Sequence, residues 1–115
     1  MKNEKQRQYH RLVYPDSYPP SLMMDASYDY EIADVSEYGL KVKVNDDLAF
    51  MVDDSVIASI AFPDGKEFDL SGRVVRVNQG YAGLQLDAPL PHSIISSEAM
   101  YLIRHFPEVR HLQAW

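Results

Sequence analysis

The residues of this chain best suited to binding chemistry fall in two short runs. One is Arg7-Gln8-Tyr9-His10-Arg11 and the other is Asp34-Val35-Ser36-Glu37-Tyr38-Gly39. The two arginines belong to a basic start: residues 1–13 carry Lys2, Lys5, Arg7 and Arg11 against Glu4 alone, a balance of +3. The whole chain has a net charge of −6, which leaves −9 on the remainder. A long nucleic-acid strand would meet that acidic body and be disfavoured, whereas a small anion held by the basic arm meets no such objection. Asp34 and Ser36 are short polar side chains that can bond their own backbone in a turn, and Gly39 can supply a positive φ there.

Catalysis finds no support in the spacing. Ser36 and Asp34 can be combined on paper with His10, His92, His105 or His111, but no nucleophile elbow and no framed pair of carboxylates is present. The four histidines lack a His-x-x-x-His spacing, so neither metal nor cofactor is expected. His105 and His111 suit a helix C-terminus, where positive charge is favoured. Asp53-Asp54 lacks the ligand spacing of a calcium loop and reads as a solvated turn. The expectation is a binding protein and not an enzyme.

The elements that position these residues follow from hydrophobic period. Tyr28-Asp29-Tyr30-Glu31-Ile32-Ala33 and Leu40-Lys41-Val42-Lys43-Val44 place apolar residues on every second position, as half-buried strands do. The sequence thus predicts a first strand from Leu22 to Ile32, a second from Tyr38 to Val44, and a turn over Asp34–Gly39 at the sheet edge. Asn45-Asp46-Asp47 reads as a further turn, and Ser55–Phe62 as another strand. Pro63-Asp64-Gly65-Lys66 is a hairpin signal, and Asn78-Gln79-Gly80 closes a second hairpin into Tyr81–Leu86. The run from Glu67 to Val77 carries Gly72 in its middle, which suggests a bulge or bend. Five or six short strands with turns at this spacing predict an antiparallel barrel or sandwich. Pro89 and Pro91 end the sheet, and Ile95, Ala99, Leu102, Ile103 and Phe106 then recur at helical spacing until Pro107.

At 115 residues and 13.2 kDa, with 46% hydrophobic content, the chain suits one domain with a real core. It has no cysteine, no run of 18 apolar residues and no apolar segment behind its basic start, so disulfides, a membrane span and a secretory signal are not expected. Cytoplasmic localisation is the default. Pro15, Pro19 and Pro20 interrupt any helix. Residues 1–21 are accordingly predicted to be a flexible arm and linker, and residues 22–115 the barrel with its helix.

Together the Arg-x-x-x-Arg of Arg7 and Arg11 and the Asp-x-Ser-x-x-Gly of Asp34, Ser36 and Gly39, in this order and 23 positions apart, resemble the signature of the PilZ domain family. The run from Gly72 through Val74-Val75-Arg76 to Gly83-Leu84-Gln85-Leu86 is similar to that family's closing hairpin, so the resemblance covers most of residues 6–88. It implies an all-β fold, an antiparallel six-stranded PilZ-type barrel with an N-terminal arm and a C-terminal helix. It also implies binding of cyclic di-GMP, a bacterial second messenger with two phosphates and two guanines. A guanidinium can fork onto phosphate oxygens, bond guanine O6 and N7, or stack on a purine face. By resemblance, Arg7 and Arg11 grip phosphate and guanine, Asp34 accepts from guanine N–H groups, Ser36 adds a hydroxyl bond and Gly39 admits close approach. Gln6 lies beside the first arginine, where it can influence how many ligand molecules fit. The arm is expected to fold over the ligand and so alter the surface offered to an unidentified protein effector. The alternatives are a ligand-independent adaptor on the same barrel and a single-strand nucleic-acid barrel using its tyrosines; the acidic body counts against the second. Either a monomer or a dimer fits the modest apolar face of the helix.

Overall fold

The computed structural model of the protein describes residues 11–25, 28–44 and 50–112. Among them are seven strands: β1 (Arg11–Val13), β2 (Ser21–Asp25), β3 (Tyr28–Ser36), β4 (Gly39–Lys43), β5 (Ser55–Ala61), β6 (Glu67–Asn78) and β7 (Tyr81–Leu86). A helix, α1 (His92–His105), and a 3-10 helix, Pro107–Leu112, follow. Every pairing is antiparallel, and the order β3-β2-β5-β6-β7-β4 closes into a ring where β4 pairs back onto β3. This is the six-stranded antiparallel barrel with a C-terminal helix that the sequence predicts, enlarged by β1 on the edge of β3 beyond β2.

The alternation of apolar residues decides which face turns inward. Val56, Ala58 and Ile60 of β5 and Leu40 and Val42 of β4 are buried, while the residues between them are exposed or half-buried. They meet Leu22, Ile32, Val74 and Leu84 in a single core. From α1, Ile95, Ala99 and Leu102 enter the same core at spacings of four and three, one stripe of a helix. Arg104 and His105 occupy the last helical turn, where the dipole favours them.

Four sequence expectations are corrected. The predicted first strand is two strands, β2 and β3, paired as Leu22 with Tyr30; no Gly or Pro interrupts the sequence from Leu22 to Ile32 to announce the division. The predicted arm and linker of residues 1–21 does not reach residue 21. Leu12 and Tyr14 are buried, the Tyr14 N–H donates to Ala33 O, and Tyr18 stacks on Tyr101 of α1 with centroids 5.4 Å apart. Burial of a leucine side chain alone stabilises by roughly 1.5–3 kcal/mol, which explains why a three-residue strand stays docked. Asp34 and Ser36 lie on β3 itself and not in a turn, which is confined to Glu37 and Tyr38. Gly72 is paired without a break. The irregularity of β6 comes later, where Val75 is an extra residue between the pairs Val74–Leu84 and Arg76–Gly83, so that Val75 and Arg76 together oppose Gly83.

Candidate functional site

Two β-bulges build the outer face on which the signature residues meet. In β3, Ile32 faces Val42 and Asp34 faces Lys41, so Ala33 is an extra residue. Without it, the inward parity of Ile32 would carry Asp34 and Ser36 into the core. With it, Val35 is buried and Asp34 and Ser36 turn outward. In β6, Val75 does the same: Val74 is fully buried and Arg76 emerges opposite Gly83.

The registers then align one row across four strands, Asp34 beside Lys41, Lys41 beside Gly83 and Gly83 beside Arg76. Arg11 enters from the side, opposite Ser36 on β3. A groove of about 300 Å³ follows this row and is lined by Arg11, Asp34, Ser36, Gly39, Lys41, Asn78, Tyr81 and Arg76 among others. A second hollow of about 210 Å³ adjoins it, sharing Asp34, Lys41 and Tyr81 and adding Pro15 and Lys43.

Within the groove, Arg11 Nε stands 3.9 Å from Asp34 Oδ2, a loose pair with half of the arginine side chain exposed. Burial pushes the Asp34 carboxyl above its ordinary value, against the opposing pull of Arg11, Lys41 and Arg76. A carboxylate in this position gains from any hydrogen-bond donor brought to it. Lys41 Nζ lies 4.6 Å from the Tyr81 ring centroid, a cation–π contact. Ser36 Oγ approaches Gly39 O at 3.4 Å, a long bond that leaves the hydroxyl usable by a ligand. Gly39 does not adopt a positive φ, in contrast to Gly65 and Gly80. Its need is for space: a Cβ there would stand 3.3 Å from both Leu84 O and Ser36 Oγ.

Residues 5–97 match the model of the PilZ domain. The chain belongs to the PilZ domain family. PilZ domains are receptor and adaptor domains for cyclic di-GMP signalling, not enzymes. Among solved structures, the Bacillus subtilis inhibitor of motility (MotI/DgrA) shares the fold, with a TM-score of 0.64 and 17% identity. The alignment covers 96% of this chain and 54% of that one, so the PilZ domain described here spans about half the length of that relative. A comparison with curated proteins gives no match.

Of the five residues that the sequence singles out in this PilZ domain, Arg11, Asp34, Ser36 and Gly39 are brought together, and Arg7 lies outside the described residues, as does Gln6. The sequence reading missed Lys41, Tyr81, Gly83 and Arg76. Lys41 and Tyr81 carried a weak signal, the outward positions of β4 and the start of β7. Arg76 carried a similar one, its alternation with Val75 and Val77, but its place opposite Gly83 depends on the Val75 bulge.

Proposed function

We propose that this PilZ domain binds cyclic di-GMP in the groove over β3, β4, β7 and β6 and relays occupancy to a protein effector. The observation that carries the reading is the convergence of Arg11, Asp34, Ser36 and Gly39, from three strands, on one groove whose cations outnumber its carboxylate. Arg11 and Arg7 supply forks for phosphate oxygens and guanine. Asp34 accepts from guanine N–H donors, the Ser36 hydroxyl adds a bond, and Gly39 leaves the backbone open to close approach. Relay to a protein effector is in keeping with the receptor and adaptor role of the family that residues 5–97 match.

Calorimetric titration with cyclic di-GMP, with GTP as a decoy, tests the binding. Micromolar or tighter association is expected, and Arg11→Ala and Asp34→Ala should each weaken it by about 10–100-fold, as loss of a charged hydrogen-bond partner does. No heat and no chemical-shift change at high ligand would remove the receptor reading and leave the ligand-independent adaptor. For the relay, amide exchange in residues 1–10 should slow when ligand saturates the groove. Unchanged exchange there, with binding intact, would rule out ordering of that segment as the signal.

A further inference from the structure

We infer that Arg76, seated on Gly83, is a third arginine of this binding groove, outside both signature motifs, and that its flat face stacks a purine base of the ligand. The inference rests on the cyclic di-GMP reading above and adds a specificity-determining residue to it.

Availability singles Arg76 out among the cations on this side of the barrel. Arg73, on the same strand, lies 3.4 Å from Asp53, and Lys43 lies 3.0 Å from Asp16 and 3.4 Å from Glu31. Lys41 is turned against the Tyr81 ring. Arg76 makes no ion pair among the described residues, yet its charge is felt at the Asp34 carboxyl.

Placement is set by two devices. The Val75 bulge turns Arg76 outward, opposite Gly83 on β7. Gly83 is flanked by Lys41 on one side and Arg76 on the other, so the row has a gap where a side chain is missing. The Arg76 side chain lies across that gap: a Cβ at residue 83 would stand 3.3 Å from Nη2, 3.6 Å from Cζ and 3.7 Å from the Arg76 Cβ. Atoms from both ends of the side chain are thus near one point, which means that it lies down over the glycine. A guanidinium lying over the gap in this way borders the groove that Arg76 lines. A planar cation there suits a purine better than it suits a phosphate, which the Arg11 fork can take.

Titration of the full chain with cyclic di-GMP tests this. Arg76→Ala is expected to weaken binding about tenfold. Arg76→Lys should recover only part of the loss, since an ammonium keeps the charge without the plane. Gly83→Ala keeps the guanidinium but lifts it from its seat, and should weaken binding while the exposed Arg73→Ala does not. In the wild type, the Arg76 Nε–Hε signal should shift on ligand addition through the ring current of the stacked base, an effect that a merely structural arginine would not show. Wild-type binding with Arg76→Ala equally tight and no shift of that signal overturns the inference and leaves the cyclic di-GMP reading intact. A wild type that does not bind cyclic di-GMP overturns both.

Discussion

Gly72→Ala is expected to destabilise the barrel by at least about 3 kcal/mol, the largest stability loss foreseen for a one-methyl change in this chain. Gly72 sits in β6 where that strand faces Val56 of β5 on one side and Leu86 of β7 on the other. A Cβ at this point would be driven into the Gln85 carbonyl oxygen, and would stand 3.1 Å from both the Gln85 carbonyl carbon and Leu86 Cα. All three are backbone atoms of the neighbouring strand. A side chain can rotate away from such an intrusion, but a strand paired along its length can only open its ladder. Against a total stability of about 5–15 kcal/mol for a domain of this kind, the loss is a large share. Thermal unfolding followed by circular dichroism should show a midpoint lower by about 10 °C or more. A shift of only a degree or two would mean that β7 yields easily at Gln85, and the close β6–β7 approach would then carry no weight. Because the same ladder leads into the Val75 bulge, the variant should also loosen Arg76.

The contrast between Gly72 and the true bulges explains how much of this molecule could be read from its residues. The hairpins at Pro63–Lys66 and Asn78–Gly80, the strands they join and the stripe of α1 were legible, because local chemistry or periodicity marks each of them. So was the pairing of the Asp34 and Ser36 run with an arginine upstream, since both lie in short motifs. The bulges at Ala33 and Val75 were not. Each adds one residue without a Gly or Pro to announce it, and one residue reverses which side chains face out. A period-two reading of Val75-Arg76-Val77 assigns the inward face to the two valines, whereas the structure buries Val74 and leaves Val75 and Val77 about 40% exposed. The row from Asp34 through Lys41 and Gly83 to Arg76 is therefore a product of two parity changes and of long-range register. β1 escaped for a different reason. Three residues offer no period, and what holds them is distant in sequence: β3, and α1 through a contact between residues 14 and 98.

That contact carries the second large effect. Tyr14 Oη donates to Glu98 Oε1 at 2.7 Å, and both residues are buried, with exposures of 5% and 3%. Burial raises the Glu98 carboxyl above its ordinary value; the Tyr14 hydrogen bond lowers it again, Asp64 raises it and Lys66 lowers it. Burial, with the adjacent Glu98, also pushes the Tyr14 phenol far up, so it remains a donor throughout the working range. Since Glu98 holds its proton more tightly folded than unfolded, its contribution to stability is most favourable below the unfolded value of 4.5 and declines as pH rises through the raised folded value. Tyr14→Phe leaves a buried carboxylate without its donor, and should cost about 2–3 kcal/mol at a pH above the raised folded value, for which pH 8 is the test point. Near pH 5 the loss should be smaller, because a carboxyl that keeps its proton needs the donor less. Glu98→Gln keeps an acceptor for Tyr14 and removes the charge, so it should be neutral or stabilising near pH 8 and should flatten the decline between pH 5 and 8. The Asp34 carboxyl is also raised and contributes a decline of the same sign, so the comparison is made as wild type minus Glu98→Gln at each pH. Urea unfolding at pH 5 and pH 8 decides the matter. Equal losses for Tyr14→Phe at both values would show that the hydroxyl's bond to Glu98 is worth the same whether or not the carboxyl is charged, and no loss at either would show that Tyr14 acts by packing alone. A loss that grows with pH makes Tyr14 and Glu98 an electrostatic tie between α1 and β1, the strand that presents Arg11 to the groove, and any movement of that strand on ligand binding would then be felt at the helix.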